Sequence, residues 1–264
     1  MKWIYFFLIS TMALMIGCDT KKSNDLTIPD VTNVLIMSPV VDFTEVANTF
    51  PTYTKGIQYT TWNCNDSVPS PAYMKTFDAV LLFSNYGSSR SVAVGDSLYA
   101  YVMDGGALTL GVFYNYHRSD TTITQYWGEL ETIDPFIGNG NYYGYDTLSL
   151  EGNHDLLNGL DTLVTYYHAN NLRIRSGAKV VASYGSGNPA IAFNKPNGRI
   201  VAVNAFPAEF KYNAVTRTEF YRIWENALLY AAWGTTDDRP NDHMPIETTK
   251  TNLMERQTES SAVR

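Results

Sequence analysis

Between Ala79 and Phe113 the chain reads as a strand, a helix and a second strand in immediate succession, and nothing else in it restricts the fold as strongly. Ala79-Val80-Leu81-Leu82-Phe83 is a short unbroken apolar run, the pattern of a strand buried on both faces. Ser91 to Met103 places Val94, Leu98, Tyr101 and Val102 at helical spacing, and Asp104-Gly105-Gly106 supplies the glycine stop of a helix C-terminus. Ala107-Leu108-Thr109-Leu110-Gly111-Val112-Phe113 is a second buried run. A βαβ unit of this kind calls for parallel neighbours in one sheet with helices on both faces.

The pattern continues on both sides. Val34 to Met37 and Ile57 to Trp62 read as earlier strands, and Leu163 to Tyr167, Lys179 to Tyr184, Ala190 to Asn194 and Arg199 to Ala205 as later ones. Gly185-Ser186-Gly187-Asn188 reads as a hairpin turn. An amphipathic helix is expected from about Thr216 to Trp233. Tyr114 to Tyr145, rich in Gly, Asn and Tyr, interrupts the alternation. At 264 residues, 45% hydrophobic and 17% charged, the chain suffices for one large core but not comfortably for two. The expected fold class is therefore α/β, a three-layer sandwich around a mostly parallel central sheet.

The N-terminus points to a location. Lys2 gives a positive start, Trp3 to Ile16 is apolar except for Ser10 and Thr11, and Gly17 precedes Cys18. At about 14 residues the run falls short of the roughly 20 needed to span a bilayer. It resembles a bacterial lipoprotein signal, which implies cleavage before Cys18, acylation of that residue, and a stably membrane-attached protein in the cell envelope outside the cytoplasm. Met15 stands where leucine is commonest in such signals. The expected organisation is a lipoprotein signal over 1–18, a flexible tether over 19–30, the α/β domain over 31–233 and a disordered tail over 234–264.

Composition narrows the partners. The formal charge is −7, and no Lys/Arg cluster stands in the body of the chain, so nucleic acid is not expected. With Cys18 lipidated, Cys64 is left alone, which excludes a disulfide or a cysteine-based zinc site. The four histidines, His117, His154, His168 and His243, lack metal-ligand spacing. No metal and no cofactor are expected.

Several motifs in order resemble the class I glutamine amidotransferase-like superfamily, nearest its ThuA-like branch. They are Phe77 to Leu82, then Gly95 to Leu108 with its Tyr-Val-x-x-Gly-Gly ending. Asn153-His154-Asp155-Leu156-Leu157-Asn158-Gly159 follows, similar to the branch's His-Pro-x-x-x-Gly. Last come Gly198 to Asn204 and the helix with Asn226-Ala227-Leu228-Leu229. The resemblance runs from about residue 31 to 233 and implies a flavodoxin-like sandwich. Catalytic members carry a cysteine on a tight turn after a strand and a late His-x-Glu pair. Here Phe113-Tyr114-Asn115-Tyr116 occupies the turn, Asn204-Ala205-Phe206-Pro207-Ala208-Glu209 the later segment, and Cys64 follows a different strand. No catalytic residue is therefore assigned, and Cys64 is expected to be an ordinary half-buried thiol.

Open α/β sheets bind ligands at the C-terminal ends of their strands. Those ends, with the elements expected near them, supply the candidates Asp42, Asn85, Tyr86, Tyr114, Asn115, Trp127, His154, Asn204, Phe206 and Glu209. Amides and rings suit hydroxyl-rich ligands such as carbohydrate, with the Tyr114 to Tyr145 insertion as a lid or merely a cover for the sheet edge. Three functions stay open. One is a non-catalytic binding domain for a ligand or partner, another a sugar-active enzyme, hydrolase or isomerase, using Asp42, His154 or Glu209, and the last a scaffold in an envelope complex.

Overall fold

The computed structural model describes residues 28–40, 42–85, 88–112, 126–138, 142–150, 152–211 and 218–236. The signal, the tether to residue 27, Tyr86, Tyr114, Asn115 and the tail from residue 237 lie outside them. Eleven strands and four α-helices follow in the order β1 (Thr32–Ser38), α1 (Asp42–Thr49), β2 (Ile57–Asn63), α2 (Pro71–Met74), β3 (Ala79–Leu82), α3 (Ser91–Met103), β4 (Ala107–Gly111), β5 (Phe136–Ile137), β6 (Tyr142–Leu150), β7 (Val164–His168), β8 (Arg173–Ile174), β9 (Lys179–Tyr184), β10 (Pro189–Asn194), β11 (Arg199–Val203) and α4 (Thr218–Trp233).

Nine strands form one sheet in the order β2-β1-β3-β4-β11-β10-β9-β6-β7. The first five are parallel, with Leu35 beside Val80, Leu81 beside Thr109 and Ala202 beside Leu110. Val34 to Met37, Ala79 to Leu82 and Leu108 to Leu110 are all but inaccessible to solvent, as apolar runs in a two-face-covered sheet must be. Helix α3 joins β3 to β4 over the expected residues. Gly105, at φ +86°, ends it in the left-handed conformation that glycine adopts without strain. Tyr101 then both donates to the Ala107 carbonyl and accepts from its N–H, welding the helix end to the start of β4.

The other four strands are antiparallel. The Gly185 to Asn188 hairpin joins β9 to β10 as expected, the Tyr184 and Gly187 N–H groups donating to Asn188 and Tyr184. This half of the sheet curls. β7 is four places from β11 in the sheet, yet its residues bond to side chains on the segment leaving β11.

Two expectations need correction. The described part of the Tyr114 to Tyr145 insertion does not cover the strand ends. Residues 126–138 pack along α3, where Asp96 accepts from the Glu129 N–H, and bind Arg175, while Tyr142 to Tyr145 open β6. Cys64 is completely rather than half buried.

Candidate functional site

The parallel strands run β2-β1-β3, so the chain leaves β1 to opposite sides and creates a switch point between the exits of β1 and β3, where α/β sheets take ligands. Ser38, Pro39 and Val40 line one side, and Ser84, Asn85, Ser88 and Arg90 the other. The Ser38 hydroxyl accepts from the Val40 N–H, the Asn65 amide donates to the Pro39 carbonyl, and the Arg90 Nε donates to the Asn65 carbonyl at 3.0 Å. Among the described residues no hydrogen bond engages the terminal guanidinium nitrogens of the exposed Arg90 or the amide of the half-exposed Asn85. Arg90 was not among the sequence candidates. Its signal was its place directly before the first helical residue after a buried strand.

Asp42 lies beyond the β1 exit and is buried, paired to Lys211 Nζ at 2.8 Å, and Lys211 also meets Glu45 at 2.7 Å. One lysine thus ties the start of α1 to the segment after β11.

The remaining described candidates are engaged in structure. Asn204 is buried; its Oδ1 accepts from the Ala169 N–H at 2.7 Å, and its Nδ2 donates to the carbonyls of Ala169 and Pro189. The Tyr184 hydroxyl donates to the Asn204 carbonyl. Glu209 is equally buried and accepts from the Thr165 hydroxyl and the N–H groups of Tyr166 and Tyr167. Glu209 thus takes backbone N–H groups of β7, and Asn204 those of Ala169 just past its end. Phe206 packs edge-on between Phe83 and Tyr167. Trp127 is fully buried, its backbone N–H held by Glu131 at 2.7 Å. His154 caps a short 3-10 turn through Nδ1, which accepts from the Leu156 N–H, and stacks between Phe193 and Tyr230. Tyr230 belongs to the last turns of α4, which meet the start of β11 at Arg199, so His154 lies toward the opposite end of the strands from Asp42.

Burial dominates the electrostatics. The Cys64 thiol is pushed up to about 12 by desolvation, so it is not a thiolate near neutrality. Asp134 is raised well above the usual carboxylate range by burial, against the pull of Arg175 at 2.8 Å. His168 is lowered by burial, while Asp146, 3.8 Å from its Nε2, pulls the other way. A histidine whose folded value lies below its unfolded one, about 6.5, binds fewer protons in the folded state. It therefore costs stability as pH falls through that value and costs nothing well above it. The melting temperature should drop between pH 7.5 and 5.5, and the drop should shrink in His168→Gln; an unchanged slope would show that other groups set it.

A cavity of about 160 Å³ opens at the opposite end of the parallel strands, where β3, β4 and β11 begin, lined by Lys75, Phe77, Lys195 and Arg199. Lys75 pairs with Asp104, and Arg199 donates to the Ala231 and Ala232 carbonyls. Two of its three cations thus satisfy helix C-termini, and the cavity is a seam between helix ends.

The 2-1-3-4 parallel order with an antiparallel extension defines a flavodoxin-like α/β fold. No protein-family model matches the chain, and no curated protein matches it. Solved structures share the fold. A cytoplasmic protein from Salmonella typhimurium superposes with a TM-score of 0.58 at 15% identity, over 76% of this chain and 99% of that one. A Bacteroides uniformis protein described as ThuA-like gives 0.54 at 14%, over 76% and 92%. The glutaminase domain of Trypanosoma brucei CTPS gives 0.52 at 9%, over 80% and 97%. At these identities the likeness is one of fold.

Proposed function

We propose that this protein is a lipid-anchored, extracytoplasmic amidotransferase-like domain without glutaminase activity, which binds a hydroxyl-rich ligand such as carbohydrate, or a partner presenting one, at the β1/β3 switch point. The observation that carries the binding reading is that the half-exposed Asn85 amide and the terminal nitrogens of the exposed Arg90, both in the segment between β3 and α3, have no hydrogen-bond partner among the described residues. The buried, protonated Cys64 on the neighbouring β2 exit supports the loss of glutaminase chemistry. The Lys2 to Cys18 sequence supports the anchor.

Purified protein should release no ammonia from glutamine, and Cys64→Ala should change nothing; thiol-dependent release would overturn the reading. In a glycan-binding screen, Asn85→Ala and Arg90→Ala should each weaken a detected ligand by about 1–3 kcal/mol. Unchanged affinity in both would move the site elsewhere. Cys18→Ser should abolish partitioning into detergent.

A second reading, a sugar-active enzyme, is favoured by the Asp42 and Glu45 carboxylates, whose oxygens approach the same Lys211 nitrogen and so lie no more than about 5.5 Å apart, close enough for two carboxylates to act on one bond. Lys211 pairs with both, and its one positive charge offsets one of the two negative ones. His154 and Glu209, the other acid-base candidates, are respectively at the far end of the strands and fully hydrogen-bonded.

A further inference from the structure

The two sides of the sheet end differently. At β7, the side chain of Glu209 accepts from the Tyr166 and Tyr167 N–H groups, and Asn204 bonds Ala169 just past the strand. At β2 no side chain among the described residues does so. The strand runs seven residues in unbroken parallel register with β1, and among the described residues its outward N–H and C=O groups have no backbone partner beyond β1. Natural edges are usually blunted by charged residues, proline, bulges or a covering segment. Ile57-Gln58-Tyr59-Thr60-Thr61-Trp62-Asn63 has no charge and no proline, and Gln58, Thr60 and Thr61 are exposed.

We propose that β2 pairs antiparallel with β2 of a second copy across a twofold axis at Thr60, joining two nine-stranded sheets into one. The occupant is chosen by charge. Lys55 lies two residues before the strand and Asp66 three after it; both are exposed, and neither has an ion-pair partner among the described residues. A twofold at Thr60 sets Ile57 opposite Asn63 and Tyr59 opposite Thr61. It also brings Lys55 of each copy beside the Asn65-Asp66 turn of the other, giving two symmetric ion pairs. The interface is isologous, so it uses up the open edge of both copies and stops at a dimer. The axis stands normal to the sheet, leaving both chain starts at one height above a membrane parallel to it.

The test is sedimentation velocity of the full chain in detergent across a concentration series. A monomer–dimer equilibrium is expected. Thr60→Lys, which sets like charges face to face on the axis, should weaken it by about tenfold while the circular dichroism stays native. Lys55→Glu and Asp66→Lys should each weaken it about threefold to tenfold, and the double exchange should restore it. Oxidised Thr60→Cys should run as a disulfide-linked dimer, whereas Val92→Cys, exposed on α3, should not. A chain monomeric at about 100 µM, an unaffected Thr60→Lys dimer, a double exchange that fails to recover, or a Thr60→Cys protein that does not cross-link would overturn the proposal.

Discussion

Replacing Glu209 by alanine is expected to destabilise the domain by about 3–5 kcal/mol, measured as a fall in the urea midpoint. The carboxylate accepts from a buried hydroxyl at 2.5 Å and from a backbone N–H at 2.7 Å, with a longer third bond to the N–H of Tyr167. Truncation removes the acceptor from these buried and half-buried donors, and each donor left unpaired costs about 1–3 kcal/mol. A domain of this size is stable by only about 5–15 kcal/mol, so the variant should sit close to unfolding at 37 °C. Glu209→Gln keeps one acceptor oxygen and should lose about half as much. A Glu209→Ala midpoint within error of wild type would mean that the edge of β7 is held some other way.

The role of Glu209 also shows where sequence reasoning stops. The βαβ unit was legible because its signals are local. Four apolar residues in a row, helical spacing over thirteen residues and a Gly-Gly stop each depend on neighbours in the chain, and the boundaries of α3 came out as read. The sheet's other half was half legible. β7, β9, β10 and β11 stood near their expected positions, but β6 was hidden because Tyr142-Tyr143-Gly144-Tyr145 belongs compositionally to the Gly- and Tyr-rich insertion before it. Its pairing with β9 joins residues more than thirty apart, a relation no periodicity encodes.

The site was harder to read for a related reason. Asn204, Phe206 and Glu209 do stand at a strand exit, as a ligand-binding group would. An amide or a carboxylate there serves equally well to take up backbone groups of β7 and just past it, and the difference lies in how far the sheet curls. Trp127 looked like a stacking platform and is core, because Glu131 and Arg175 fold its segment back on α3. Arg90 carries no motif of its own in the sequence, because only the fold brings it to the switch point.

Gly95→Ala should be strongly destabilising, by about 3 kcal/mol or more, although the same exchange inside an ordinary helix gains about 1 kcal/mol. Gly95 stands in the middle of α3 at ordinary negative φ, so backbone freedom is not at issue. A Cβ there would fall 1.7 Å from the Trp127 carbonyl oxygen and 2.4 Å from its carbon, distances that no rotamer change can relieve because both partners are backbone. Either α3 shifts or residues 126–132 leave it, and leaving uncovers Trp127 and Leu130, both now fully buried. Burial of a large side chain contributes about 1.5–3 kcal/mol, which sets the scale of the loss. The segment should become the first site of limited proteolysis in the variant, before any loss of sheet signal. A variant as stable as wild type, with 126–132 still protected, would mean that the segment does not lie on α3 in solution.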